Sequence, residues 1–247
     1  VDDARMDLWT ERVAAACAAG EPAVTELLTT HSGLPGPRAN LGLLAAFGDV
    51  APTDLVVRLA DDDDEYLRSC GTAALGRLLL DEARVAGPAS AAAGAWRATL
   101  DARASDASWR VREAAAMAGQ RLGAGEPAAL VALADAWLRT GDPLPARAAV
   151  AALCEPALLR APALRVAALD VCARATDLLR SVPAASRRES DVRTLRQALG
   201  YAWSVAVAAD PDAGLPAFAA LERDPDADVA WLVRENRKKK RLAALLA

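Results

Sequence analysis

When Asp62 is set against Asp106, Leu67-Arg68 falls on Val111-Arg112, Arg77 on Arg121 and Leu78 on Leu122, so one offset of 44 residues accounts for all of these matches. That spacing lies within the ~40–47 residues of a two-helix repeat, and it constrains the chain more than any other feature. Such a unit cannot bury its apolar face alone and must stack on its neighbours. The pattern Asp-x4-(Leu/Val)-Arg returns at Asp228, Val233 and Arg234, and a copy shortened by one runs from Asp142 to Arg147. An aspartate where a helix begins can accept from free backbone N–H groups and favours the positive end of the helix dipole. The arginines that follow, Arg68, Arg112 and Arg234, either pair with aspartates of neighbouring repeats as a structural ladder or face a ligand.

Helix-stopping signals cut the chain between these anchors: Gly20-Glu21-Pro22, Gly33 to Pro37, Ala51-Pro52, Gly125 to Pro127, Gly141 to Pro145, Val182-Pro183 and Asp210-Pro211. The segments between them are of helical length with short connections, as antiparallel pairs require. Hydrophobic residues make up 53% of the 247 but aromatics only 4%. Alanine dominates the apolar fraction, which favours closely packed helices over a sheet of β-branched residues. The expected fold is all-α: an α-solenoid, or superhelix, of about five to six antiparallel helix pairs forming one domain over 1–247. The polar stretch Pro183 to Asp191 lacks an apolar period and reads as an exposed, mobile excursion near a binding surface.

Several function classes have no support in the residues. Cys17, Cys70, Cys154 and Cys172 lie far apart in alanine-rich stretches and read as small core residues. With one histidine, His31, an ordinary zinc site is not expected. The acidic run Asp61 to Asp64 with Glu65 lacks the glycine and alternating ligands of a calcium loop and reads as a turn that caps the next helix. No Gly-x4-Gly-Lys and no Gly-x-Ser-x-Gly occurs, so no cofactor, metal or nucleotide chemistry is expected, and an enzyme would need carboxylates brought together by the fold. A net charge of -4 argues against nucleic-acid binding through the overall field while leaving room for a local basic stripe. The N-terminus has no apolar signal region, and the longest uncharged stretch, Gln197 to Ala209, is too short to span a bilayer. A cytoplasmic monomer without a membrane contact is the expectation.

The stretches Asp106-Ala-Ser-Trp-Arg-Val-Arg-Glu-Ala-Ala-Ala and Asp228-Val-Ala-Trp-Leu-Val-Arg-Glu-Asn-Arg-Lys-Lys resemble bacterial HEAT-repeat proteins over most of the chain. Leu195-Arg-Gln-Ala-Leu-Gly-Tyr-Ala-Trp, followed by Asp210-Pro211, is similar to the late repeats of HEAT-like alkylpurine DNA glycosylases. That second resemblance implies DNA held on a concave face, with Arg112, Tyr201 and Trp203 contributing an aromatic and cationic surface. The chain has no Trp-Asp dipeptide to match the glycosylase Trp-Asp-x-x-Asp motif, so no catalytic aspartate is carried over.

Two surfaces stand out as candidates. In the last long helix Val229, Leu232, Val233 and Asn236 recur at helical spacing and define a packing face, leaving Trp231, Arg234, Lys238 and Arg241 (i, i+3, i+7, i+10) as an exposed stripe. All three lysines of the chain, Lys238 to Lys240, cluster there. An aromatic beside cations can receive a phosphate backbone, an unstacked base or an acidic protein segment. Equally, cations near a helix C-terminus offset its dipole, and a terminal repeat needs a polar outer face. On the helix after Asp106, Arg110 and Arg121 flank an apolar stripe of Val111, Ala115, Ala118 and Leu122, with Trp109 on its far side either filling a gap or presented for recognition. Two functions remain open: an interaction scaffold that binds a protein or peptide partner on its concave face, or a DNA-binding relative of the alkylation-repair glycosylases. The first expects the arginines to be consumed in Asp–Arg pairs, and the second expects a continuous positive face.

Overall fold

The computed structural model describes residues 3–87 and 90–246. Among the described residues the protein is all-helical, with fourteen α-helices, one 3-10 turn at Leu158–Arg160 and no strand. No helix among them is long and apolar enough to cross a membrane. The helices exceed the ten to twelve of five to six pairs in part because the basic run after Arg237 starts a new helix.

The chain forms two compact units, Val1–Leu122 and Gly123–Ala247. The first holds α1 (Asp3–Ala19), α2 (Glu21–His31), α3 (Leu41–Val50), α4 (Thr53–Leu59), α5 (Glu65–Val85), α6 (Ala91–Ala104) and most of α7 (Trp109–Gly125). Here α1 packs on α2 and α3, and α5 is the hub against α2, α3, α4 and α6. The central stretch of α5, Ser69 to Gly76, is buried on every side, which its small residues allow. At Gly76 the backbone of α7 comes so close that an added Cβ would lie 2.7 Å from the Ala118 Cα. Val111, Ala115, Ala118 and Leu122 are all buried, as an apolar stripe on α7 should be.

Among the repeat aspartates Asp142 is itself a cap, accepting from the Leu144 N–H (2.8 Å) at the start of the helix Pro143–Leu153, whereas Asp62 and Asp106 sit two residues earlier than caps. Asp62 accepts from the Asp64 N–H (2.8 Å), and Asp64 is the residue that caps α5, through Tyr66 and Leu67. Likewise Asp106 accepts from the Ser108 N–H (2.8 Å), and the Ser108 hydroxyl accepts from the Arg110 N–H. In the second unit the matching turn is Asp224 accepting from Asp226, whose carboxylate caps α13 (Ala227–Arg237). The third copy is therefore in register at Asp224. Asp228 lies inside the first turn of the helix, where it favours the dipole.

The second unit continues with α8 (Pro127–Arg139), α9 (Pro143–Leu153), α10 (Pro162–Ser181), α11 (Ser190–Ala209), α12 (Pro211–Leu221), α13 and α14 (Lys240–Ala243). Each of α8 to α10 packs on its next neighbour in sequence and on a helix beyond it, and α11 packs on α12, α13 and α14. Pro183–Glu189 is pinned. Arg187 donates to the Val182 and Arg180 carbonyls and to the carboxylates of Asp226 (2.6 Å) and Asp228 (3.2 Å). A polar segment without an apolar period is thus held by one half-buried arginine, which hydropathy cannot reveal. All four cysteines are free thiols; Cys70, Cys154 and Cys172 are buried and Cys17 is half-buried. Burial raises the Cys70 and Cys172 thiols above the usual range, which suits packing rather than reactivity.

Candidate functional site

The first unit carries a cleft of about 230 Å³ lined by Pro37 to Ala39, Leu41 and Leu44 of α3, Ser69 of α5, and Trp109, Arg110, Glu113 and Met117 of α7. Its walls are built by caps and pins. Asn40 caps α3 through the Leu43 N–H, and its own carbonyl accepts from the hydroxyl of buried Tyr66 on α5 (2.7 Å). Arg110 donates to Glu65 (3.2 Å) and to the Gly36 carbonyl (3.4 Å), tying the start of α7 to the start of α5 and to the preceding loop. Glu65 also accepts from the Ser108 hydroxyl. The Arg110 guanidinium lies 4.7 Å from the centre of the Trp109 ring, and its Nε is buried without a partner among the described residues.

Two large apolar side chains are left facing solvent at this cleft: Trp109 is 56% exposed and Leu41 is 56% exposed. Trp109 is therefore presented at the surface. The positive charge of Arg110 is answered by Glu65. Arg38, on the rim, is exposed and has no ion pair with any described residue. An apolar pocket with one available cation suits a ligand with a bulky apolar group next to an anion. At about 230 Å³ it lies below the ~300–1,000 Å³ of small-molecule sites and matches one large side chain.

The remaining expected contacts separate into used and available groups. Arg68 donates to Asp106 (3.0 Å) and to the Asp62 carbonyl, and Arg112 donates to the Asp106 and Ala107 carbonyls. Arg121 is paired with Asp49, and Arg77, its counterpart in the repeat, donates to the Gly48 carbonyl (2.7 Å). Arg68, Arg77 and Arg121 thus link separate segments of the first unit, while Arg112 closes the turn before its own helix. Trp203 is a core residue, not a surface aromatic: it is buried, and its indole N–H donates to Thr176 of α10 (3.1 Å). An apolar face on both sides of α11 draws it inward.

The four-residue stripe of the C-terminal region is not one helical face. Asn236 is buried and ties α13 to α11, accepting from the Ser204 N–H (2.8 Å) and donating to the Leu199 (2.9 Å) and Leu232 (2.8 Å) carbonyls. The chain leaves the helix just after it, at Lys238-Lys239, so Arg241 belongs to α14. Trp231 packs against Gly200, where a Cβ would stand 2.8 Å from its ring, and Arg196 stacks 3.9 Å from its centre while pairing with Asp228. Lys238 pairs with Glu235 (2.6 Å), and Arg234 is exposed without an ion pair to a described residue. Arg241 turns back to donate to the Tyr201 hydroxyl (2.6 Å), its guanidinium 5.0 Å from that ring, and the Lys239 ammonium lies 5.5 Å from the same ring. Lys239 was not legible as a contact, because only the break after Asn236 turns it toward Tyr201. No group of three or more metal-ligating side chains occurs among the described residues.

No protein family, curated protein or solved structure matches the chain.

Proposed function

We propose that the protein is a non-catalytic interaction scaffold whose units are stacks of HEAT-like helix pairs, and that the first unit binds a protein partner through one large apolar side chain flanked by a carboxylate. The observation that carries the reading is the cleft beside Trp109 and Leu41, with the free cation of Arg38 on its rim. An exposed tryptophan and leucine around a pocket are the anchors an interface uses. The solenoid reading is supported by helices that pack on their next and more distant neighbours within each unit, and by Arg68–Asp106 as a rung between repeats. The consumption of Arg68, Arg110, Arg112 and Arg121 in internal bonds favours a scaffold over a positive face for a duplex.

The test is selection of a random dodecapeptide library displayed on phage against the full chain, with counter-selection on Leu41→Glu. The expected result is a consensus of one aromatic or long aliphatic residue followed closely by aspartate or glutamate, whose binding is lost on Trp109→Ala. Enriched peptides that bind parent, Leu41→Glu and Trp109→Ala equally would overturn the assignment.

A further inference from the structure

The C-terminal end of the second unit concentrates charge that the rest of the chain does not. Between Arg234 and Arg241 stand six basic side chains and one acidic one, in a protein whose net charge is -4. The acidic one, Glu235, is spent on Lys238, and Arg237 is spent on Glu222. Arg234, Lys239, Lys240 and Arg241 have no carboxylate partner among the described residues. The bond from Lys238, reinforced by the charges of Lys239 and Arg234, holds the Glu235 carboxyl below its usual range, which is the imprint of a local positive field.

Geometry makes this more than a solvated run. Lys239 and Arg241 are like charges that would separate if free, yet both are held over the ring of Tyr201, at 5.5 and 5.0 Å from its centre. Arg241 is further fixed by its bond to the Tyr201 hydroxyl. Tyr201 is 44% exposed, so the pair stands at the surface. Ring attraction replaces the carboxylate that would otherwise neutralise the pair. What results is two oriented cations at a fixed site, with Lys240 and Arg234 nearby in sequence to extend it. A planar guanidinium offers a fork that matches phosphate oxygens, and cations beside an exposed aromatic are the combination that tracks a single strand.

We propose that Tyr201, Lys239 and Arg241 form a phosphate-binding site through which the second unit holds the backbone of a single-stranded nucleic acid. It is separate from the peptide cleft and does not rest on it. A single strand that engages Arg234, Lys239, Lys240 and Arg241 releases its counterions, so the logarithm of affinity falls with that of salt at a slope of about −2.8. Between about 50 and 200 mM salt this is a loss of about 50-fold.

The experiment is anisotropy of a fluorescein-labelled oligothymidylate titrated with the full chain at those two salt concentrations. The parent should bind saturably and lose about 50-fold, Lys240→Ala about 20-fold, and the pair Lys239→Ala/Arg241→Ala about 7-fold, each with unchanged far-UV circular dichroism. If the double variant loses helical signal, Lys239→Ala, in which Arg241 keeps its bond to the Tyr201 hydroxyl, decides with an expected loss of about 20-fold. Absence of binding at the lower salt, or a salt slope untouched by these substitutions, overturns the proposal. Displacement by polyglutamate or by tripolyphosphate as effective as by unlabelled strand at equal charge also overturns it, assigning the patch to an acidic protein segment or to small polyphosphates.

Discussion

Replacing Asn236 by leucine keeps the branching of the side chain, puts bulkier methyl groups in place of the amide, and removes all three of its hydrogen bonds, to the Ser204 N–H and to the Leu199 and Leu232 carbonyls. The site has no exposed surface, so water does not take over the lost contacts. At about 1 kcal/mol net for each bond, and more for any group left unsatisfied, the loss should be about 3 kcal/mol. Asn236→Asp is the sharper variant. It keeps an acceptor for Ser204 but sets a carboxylate oxygen against two carbonyls, so at neutral pH it should cost more than leucine does, and part of that cost should be relieved in acid as the carboxyl gains a proton. Urea denaturation followed by far-UV circular dichroism measures both, with the slope against urea unchanged if the unfolded state is unaffected. Leucine and aspartate variants that both stay within about 1 kcal/mol of the parent would refute the reasoning that this amide clamps α13 to α11.

Gly76→Ala places a Cβ 2.7 Å from the Ala118 Cα, and thermal unfolding should show a loss of about 1–3 kcal/mol from the forced separation of α5 and α7. Arg187→Ala withdraws the cation from Asp226 and Asp228, and should cost about 2–3 kcal/mol at neutral pH by the same assay. Burial raises the Asp226 carboxyl, but its bonds from Arg187 and from the Asp228 and Val229 N–H groups outweigh this and leave it below the usual aspartate value. A depressed acid stabilises the fold above its unfolded value and loses that contribution as pH falls through the folded one. The gap between parent and Arg187→Ala should therefore close in strong acid, and a gap that widens there would contradict the pairing. Trp109→Ala should cost the fold no more than about 2 kcal/mol, since less than half of the residue is covered in the free chain. It should weaken a selected peptide by about 2 kcal/mol, roughly 30-fold, if about half of a tryptophan surface is covered on binding; calorimetric titration reads this directly.

What the sequence made legible was set by local physics. Alanine-rich helical segments, the acidic turn Asp61 to Asp64 that caps α5, and the face Val229, Leu232, Val233 and Asn236 all follow from residues close in the chain, and all are found. What was not legible depends on residues brought from afar. The last long helix ends at Arg237, just after Asn236 reaches α11, so a stripe drawn at 3.6-residue spacing through Arg241 crosses a break. Trp203 reads as a surface aromatic until α10 supplies Thr176 to its indole. Likewise the cleft needs Leu41 of α3, Ser69 of α5, and Trp109 and Met117 of α7, three helices far apart in the chain. Trp109 was legible only as an alternative, since helical phase alone places it beside the stripe without saying whether another helix covers it.

The chain has only two methionines, and one of them, Met117, lines the cleft. Methyl-labelled methionine therefore gives a spectrum of two signals, with the Met117 signal assigned by its disappearance in Met117→Leu. Titration with a selected peptide that carries an apolar anchor beside an acidic residue should move the Met117 methyl in proportion to occupancy, and the same peptide with alanine at the anchor should leave it in place. A peptide that binds with full affinity while the Met117 methyl does not move would place the partner elsewhere and contradict the account.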